Sequence, residues 1–190
     1  RVKNMLNKAL GFIKNQLEEY LAIQTEDGDI LNFSNLKNSA DSDLQANKIN
    51  LTIVNIEEEE SMAHRNPHMK TSNGIIKKNP PVYLNIYLLF SVNFKDKFYL
   101  KGLNLLSHII SFFQQHSVFD ASQYSLPDSI AKLNFELVNM KIEHMSHFWG
   151  ALGANYQPSV IYKMRMLSID AESIITKETE INQPNIQGKQ

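Results

Sequence analysis

The chain has no cysteine among its 190 residues, and it has only 7 glycines and 6 prolines. The absence of cysteine excludes disulfides, thiolate metal sites and cysteine nucleophiles, and it agrees with a reducing compartment. Neither sign of charge is in excess, since 19 basic and 20 acidic residues give a net charge of −1. Dedicated nucleic-acid-binding proteins usually carry a basic excess, so the composition argues against that class.

Long hydrophobic runs are also missing. The most apolar stretch, residues 82–92, is about half of the ~20 residues that a membrane helix needs. We therefore expect no direct membrane insertion. A hydrophobic content of 43% and a charged content of 21% are ordinary for a globular protein. The length fits one domain, which we place at residues 1–169, followed by a polar C-terminal arm at residues 170–190.

Apolar residues recur at intervals of three and four in three segments, which predicts three amphipathic helices. The predicted helices cover residues 2–21, about 98–115, and 142–152. The apolar stripe of the second helix begins with Tyr99, and the third helix contains the single tryptophan, Trp149. The third helix ends near Gly153, a residue type that tolerates positive φ.

Alternation of apolar and polar residues predicts five strands. They cover residues 30–33, 49–56, 82–92, 131–137 and 160–166. Because several strands follow one another directly, we predict an α+β fold: a mixed, largely antiparallel sheet with two to three packed helices. Residues 61–79 and the arm after residue 170 are polar and unpatterned, and we expect them to be extended segments.

Residues 147–169 raise the question of function, because they combine Trp149, two glycines and a run that alternates apolar with basic residues. Three interpretations are open: a phosphate- or nucleic-acid-binding loop, a catalytic corner, or a helix–turn–strand joint whose outer face meets another protein. In the third interpretation, Trp149 and the strand face at residues 160, 162, 164 and 166 build the core. Lys163 and Arg165 then project from the other side, toward a neighbouring protein.

No motif supports chemistry. The two glycine-rich nucleotide-binding signatures with a clear phosphate mechanism are absent, as is the Gly-x-Ser-x-Gly elbow. The Gly150–Gly153 spacing resembles a KH loop but lacks the second helix that such a loop precedes. His144 and His147 have a spacing that can hold a metal, yet nothing nearby supplies further ligands. We predict no catalytic residue, no cofactor and no metal.

Four acidic residues, Glu57 to Glu60, follow the second strand. Adjacent carboxylates repel one another and favour water, which indicates a solvated strand end. A partner-binding site that includes Glu57, Glu58 and Glu59 is the alternative.

Four sequence blocks together resemble one family. They are VNIEEE (54–59), NPPVYLNIYLLFS (79–91), LSHIISFFQ (106–114) and FWGALGANYQPSVIYKMRMLSI (148–169). The family is that of the cap, or tail-terminator, proteins of extracellular contractile injection systems, the phage-tail-like particles of the antifeeding-prophage and virulence-cassette kind. The resemblance covers roughly residues 5–169 and implies a tail-terminator-like fold with a structural, non-enzymatic role.

The resemblance further implies a homo-oligomeric ring, expected to be a hexamer, that terminates the inner tube and the sheath at the end distal to the baseplate and couples them. Its partners would be other copies of the chain, the inner tube protein and the sheath protein, but no nucleic acid. Assembly would take place in the bacterial cytoplasm, and the cap would then remain part of the particle. A bacteriophage tail terminator and a nucleic-acid-binding module are the alternatives.

The same resemblance implies sheath subunits that are linked by strands lent from one subunit to the next. Ile174 and Ile175 are the adjacent apolar pair that we assign as the anchor of the C-terminal arm. We therefore expect the arm, or otherwise the 61–79 segment, to be flexible in the free protein and to pair with a sheath sheet edge in the particle.

Overall fold

The computed structural model describes residues 4–25, 28–36, 47–59, 68–71, 74–78, 82–168 and 174–178. The helices are α1 (Met5–Thr25), α2 (Tyr99–Gln115) and α3 (Ile142–Leu152). The strands are β1 (Leu31–Phe33), β2 (Lys48–Glu58), β3 (His68–Thr71), β4 (Gly74–Lys78), β5 (Val82–Asn93), β6 (Val118–Asp120), β7 (Ile130–Val138), β8 (Ser159–Ser168) and β9 (Ile174–Glu178). The predicted helices and strands are all present.

Six strands form the main sheet, in the order β1-β2-β5-β8-β7-β6. Only β1 pairs in parallel, with β2, and the other four pairings are antiparallel. The prediction of a mixed, largely antiparallel sheet with packed helices is therefore confirmed. Strand β6 was missed, because its sequence, Val-Phe-Asp, does not alternate apolar with polar residues.

Helices α1 and α2 cover one face of this sheet, which we call the helix face. The main hydrophobic cluster lies there and includes Leu88, Phe90, Tyr162 and Met164 from β5 and β8. Phe113 of α2 lies at its centre, with its ring centroid 4.4 Å from that of Tyr162. The predicted buried face of β8 is thus confirmed: Tyr162, Met164 and Met166 are buried, and Val160 is half-buried against the same cluster.

Helix α3 lies on the opposite face, which we call the α3 face. Trp149 is its only buried residue and clusters with Leu36, Leu89 and Ile161. The expectation that Trp149 shares a core with the Tyr162 face of β8 is wrong. Successive side chains of a strand point to opposite faces, and α3 packs over the Ile161 side instead.

The apolar stripe of α2 differs from the prediction at its first residue, Tyr99. Its buried residues are Gly102, Leu105, Leu106, Ile109, Phe112 and Phe113. Tyr99, placed in the stripe by its spacing, is instead 44% exposed. The close approach of Gly102 to Val92 and Phe94 fixes which side of the helix meets the sheet.

A second, three-stranded sheet has the order β3-β4-β9. Strands β3 and β4 form an antiparallel hairpin, and β9 pairs antiparallel with β4, with Ile75 opposite Glu178. Residues 61–79 and the C-terminal arm were predicted to be unpatterned, extended segments, and their described parts form these three strands. Each of these strands is short, and β9 obtains its partner from a segment about 100 residues earlier in the chain.

Candidate interaction site

The candidate site is the part of the α3 face that α3 leaves open. Along β8, alternate residues Ile161, Lys163 and Arg165 point to this face. Ile161 is covered by Trp149, whereas Lys163 and Arg165 lie beyond the helix. Two cross-strand rows cross the sheet there: Asn55, Tyr87, Lys163 and Glu136 in the first, and Glu57, Asn85, Arg165 and Asn134 in the second. We call these two rows the polar rows.

Glu136 holds both cations of β8 in place. Its Oε2 atom lies 3.1 Å from Lys163 Nζ and 3.2 Å from the nearest guanidinium nitrogen of Arg165. The Lys163 side chain is 20% exposed and the Arg165 side chain 45% exposed, so Arg165 presents more of its charge to solvent. Lys163 and Arg165, the two predicted interaction residues of β8, are thus ion-paired within the chain.

Two residues of the first row, Tyr87 and Asn55, hold the carboxylate of Glu57 by hydrogen bonds. Tyr87 Oη donates to Glu57 Oε2 over 3.1 Å, and Asn55 Nδ2 donates to Glu57 Oε1 over 2.8 Å. Partial burial raises the pKa of the Tyr87 phenol, and the hydrogen bond to Glu57 and the charge of its carboxylate raise it further. Tyr87 therefore stays protonated and serves as a fixed hydrogen-bond donor.

A register shift in β2 decides where the acidic residues point. It lies between Ile53 and Asn55, so that Glu57 pairs with Asn85 and points to the α3 face. Glu58 pairs with Leu84 and points to the helix face. The acidic run was expected to end the strand, but β2 continues through Glu58.

Asn85 lies at the centre of the second row and is 8% exposed. Its Nδ2 atom donates to Glu59 Oε2 over 2.9 Å, while its Oδ1 atom has no hydrogen-bond partner among the described residues. A shallow depression of about 240 Å³ adjoins it and is lined by Tyr83, Lys132, Arg165 and Leu167, among others. The depression combines an aromatic ring, apolar surface and cations, a mixture that is common where proteins contact one another.

Four of the seven predicted interaction residues therefore come together on the α3 face: Lys163, Arg165, Glu57 and Glu59. Glu58 lies on the helix face, and Ile174 and Ile175 lie in β9 of the other sheet. The sequence analysis missed Glu136 as the shared acceptor. Only the register of β7 against β8 shows that Glu136 lies opposite Lys163.

Metal-ligating side chains do not come together in the described ranges. No three histidine, aspartate or glutamate side chains lie together there as metal ligands would, and both His144 and His147 are exposed on α3. Within the same ranges, no helix is both long and apolar enough to span a membrane.

Two solved structures share the fold across almost the whole chain. The anti-feeding prophage cap, described as the AFP tube terminating cap, is 12% identical with a TM-score of 0.58, and the match covers 97% of this chain and 60% of that one. The PVC sheath/tube terminator of an extracellular contractile injection system, in its extended state, is 13% identical with a TM-score of 0.61 and coverages of 97% and 62%. The predicted tail-terminator-like fold is thereby confirmed.

This chain spans about three fifths of the length of those two terminators. No curated protein matches it significantly. The family model described as the Pvc16 N-terminal domain matches residues 10–182. Because that match extends over most of the 190 residues, the chain belongs to the Pvc16 N-terminal domain family.

Proposed function

We propose that this chain is the structural body of a cap that terminates the inner tube and the sheath of a contractile injection particle. The observation that carries the proposal is the fold match over 97% of the chain to two terminators, one a tube terminating cap and one a sheath/tube terminator. Membership of the Pvc16 N-terminal domain family supports the same role. In this role the chain works by binding other proteins, without catalysis or a cofactor.

The proposed assembly is a homo-hexameric ring at the end of the particle distal to the baseplate. Head-to-tail contacts between identical subunits either close into a ring or extend into a filament. A cap must close, since it has to match one exposed end of the tube and offer no copy of that end. Its partners would be neighbouring copies, the inner tube protein and the sheath protein, and its assembly would take place in the bacterial cytoplasm.

The polar rows are the surface that we assign to a tube, sheath or cap neighbour. Lys163, Arg165, Glu57 and Glu59 present both signs of charge on a rigid sheet rather than on a loop. Fixed charges of both signs select a partner and its orientation by electrostatic complementarity. We further propose Glu58 as a contact residue on the helix face.

The C-terminal arm, residues 170–190, is proposed to attach the 1–169 domain to the sheath, with Ile174 and Ile175 as its apolar anchors. In the chain alone β9 pairs with β4, which leaves β3 and β9 as the edge strands of the three-stranded sheet. An edge strand offers unpaired backbone groups to a further strand. A chain that ends at residue 170 should keep the six-stranded sheet, because β9 takes no part in it. Particles with this truncation should retain less sheath at the capped end, and unchanged sheath retention would exclude the arm from attachment.

The capping role is tested by imaging particles from cells that lack this gene. We expect overlong tubes or bare, prematurely ended particles, and restoration of uniform length when the wild-type gene is supplied on a plasmid. Uniform, capped particles in the absence of the gene would contradict the proposal. A filter-binding titration at low salt separates it from nucleic-acid binding, for which we expect no detectable affinity.

A further inference from the structure

An exposed apolar segment lies where β5 leads into α2. Residues 95–100 are all exposed, although three of them are large and apolar: Phe98 at 38%, Tyr99 at 44% and Leu100 at 78% exposed. Lys97 lies with its Nζ atom 4.8 Å from the centre of the Phe98 ring. Three lysines at positions 95, 97 and 101 outnumber the single acidic residue, Asp96, so the patch is aromatic with a net positive charge. We call residues 95–101 the α2 corner. Contiguous exposed apolar side chains of this kind mark interaction surfaces.

A second exposed patch lies at the far end of β2. Ile56 points to the helix face opposite Ile86, yet it is 43% exposed, because α1 and α2 leave that end of the sheet uncovered. Glu58 follows on the same face and is exposed, with no hydrogen bond or ion pair to any described residue. We call Ile56 and Glu58 the β2 corner. This corner is apolar with a negative charge, whereas the α2 corner is apolar with positive charge.

The two corners lie at opposite ends of one strand pair. Lys48 of β2 is opposite Asn93, next to the α2 corner, and Glu58 is opposite Leu84. Ten residue steps along an antiparallel strand separate these pairs, a distance of about 33 Å. The corners therefore cannot meet within one chain, but they can meet between two copies.

We propose that the α2 corner of one copy packs against the β2 corner of the next copy and that this contact closes the ring. The inference rests on the proposed cap function and names the surfaces that the ring uses. The partner is a second copy, because each corner carries the apolar surface and the opposite charge that the other lacks. A contact between opposite ends of the same chain is heterologous, which is the kind of contact that a ring requires.

The absence of cysteine allows a direct test by cross-linking. Two tagged forms of the full chain, Glu58→Cys and Lys97→Cys, are co-expressed in particle-producing cells, and the particles are treated with a bismaleimide that spans roughly 10 Å. We expect a dimer that contains both tags and no cross-link within either form alone. A chain that carries both substitutions should give a ladder up to the full ring. The matched control pairs Lys97→Cys with Glu143→Cys, an exposed acidic position on α3, and should not cross-link.

The cross-linking results distinguish failure of the proposed contact from failure of the cap function. If the cap is found on the particles but Glu58→Cys and Lys97→Cys do not cross-link, the inference fails and the cap function stands. A cross-link between two copies of Glu58→Cys would show a two-fold contact and would also overturn it. If the wild-type chain is absent from purified particles, the cap function itself fails.

Charge exchange provides a second test that does not depend on cross-linking. Lys97→Glu alone should reduce the fraction of capped particles several-fold, and Glu58→Lys should do the same, because each places like charges across the contact. The double variant should recover capping. Failure of the double variant to recover, with both single variants folded as judged by circular dichroism, would contradict the proposed pairing.

Discussion

Trp149 and Tyr162 lie on opposite faces of the six-stranded sheet, each in its own hydrophobic cluster. Tyr162 packs against Phe113 of α2, while Trp149 attaches α3 to Leu89 and Ile161. Trp149 is the one fully buried residue of α3, and the half-buried Met145, Phe148 and Leu152 pack beside it, in a cluster separate from that of α1 and α2. The stability of α3 can be tested separately from that of the main core.

Trp149→Ala should detach α3 while the helix face stays folded. Truncation of a buried tryptophan costs about 3–5 kcal/mol where the site cannot collapse, and Trp149 is the one fully buried side chain of α3. Hydrogen exchange should show loss of amide protection across Ile142–Leu152 and retained protection in α2. Trp149→Phe should be milder, since it keeps an aromatic ring and removes an indole N–H that has no partner among the described residues. Equal loss of protection in α2 and α3 would show that the two clusters form one cooperative unit.

Gly102→Ala should lower the free energy of unfolding. A Cβ atom there would overlap the side chains of Val92 and Phe94, and overpacking of this kind costs about 1–3 kcal/mol, more than the gain in helix propensity of about 1 kcal/mol. Gly11→Ala is the matched control, because nothing lies within 4 Å of its added Cβ in α1. We expect Gly11→Ala to stabilise the protein by about 0.5–1 kcal/mol in urea unfolding. The same sign of change for both variants would contradict the packing described at Gly102.

Reversal of both cations on β8 tests the polar rows. Lys163→Glu with Arg165→Glu places three carboxylates together, since both cations are paired with Glu136. Like charges across neighbouring strands destabilise, so we expect a loss of about 1–2 kcal/mol in urea unfolding. Addition of Glu136→Lys should restore most of that stability by exchanging the charges.

The triple variant also separates folding from binding. If the polar rows contact a neighbour, particles with the triple variant should remain poorly capped although most of the chain's stability is restored. Normal capping by the triple variant would show that Lys163 and Arg165 serve only the fold.

Asp29 should make the free energy of unfolding depend on pH, with stability lost at acidic pH. Its carboxylate accepts a hydrogen bond from Lys48 Nζ over 2.8 Å, and this bond, with the charges of Lys48 and Lys14, lowers the pKa of Asp29 below its ordinary value of 3.8. A lowered pKa in the folded state means that the stabilisation is complete above the unfolded-state pKa and is lost as the pH falls through the folded-state pKa. Lys48→Met should raise the pKa of Asp29 toward its ordinary value in a carboxyl NMR titration. Lys8→Met, which removes a cation paired with Asp128 instead, should leave it unchanged.

Local patterns predicted the three helices and five of the nine strands of the described residues. The 3.6-residue period of α1 and the alternation in β5 depend only on neighbouring residues, because each helix or sheet face must collect its own apolar side chains. The left-handed conformation of Gly153 at the end of α3, with φ of 65°, followed from residue type alone. The alternation of β8 also identified Lys163 and Arg165 as residues on the side away from the main core.

Contacts between distant segments required the tertiary structure. The register shift at residues 53–55 turns Glu57 to the α3 face and Glu58 to the helix face, which is the reverse of what strict alternation from Ile53 predicts. The pairing of β7 with β8 makes Glu136 the acceptor for both cations, although nearly 30 residues separate them. Alternation along a strand determines which residues share a face, but only the packing of helices on each face determines which of them are buried. For this reason the sequence identified the strand of Lys163, and the tertiary structure determined its partner.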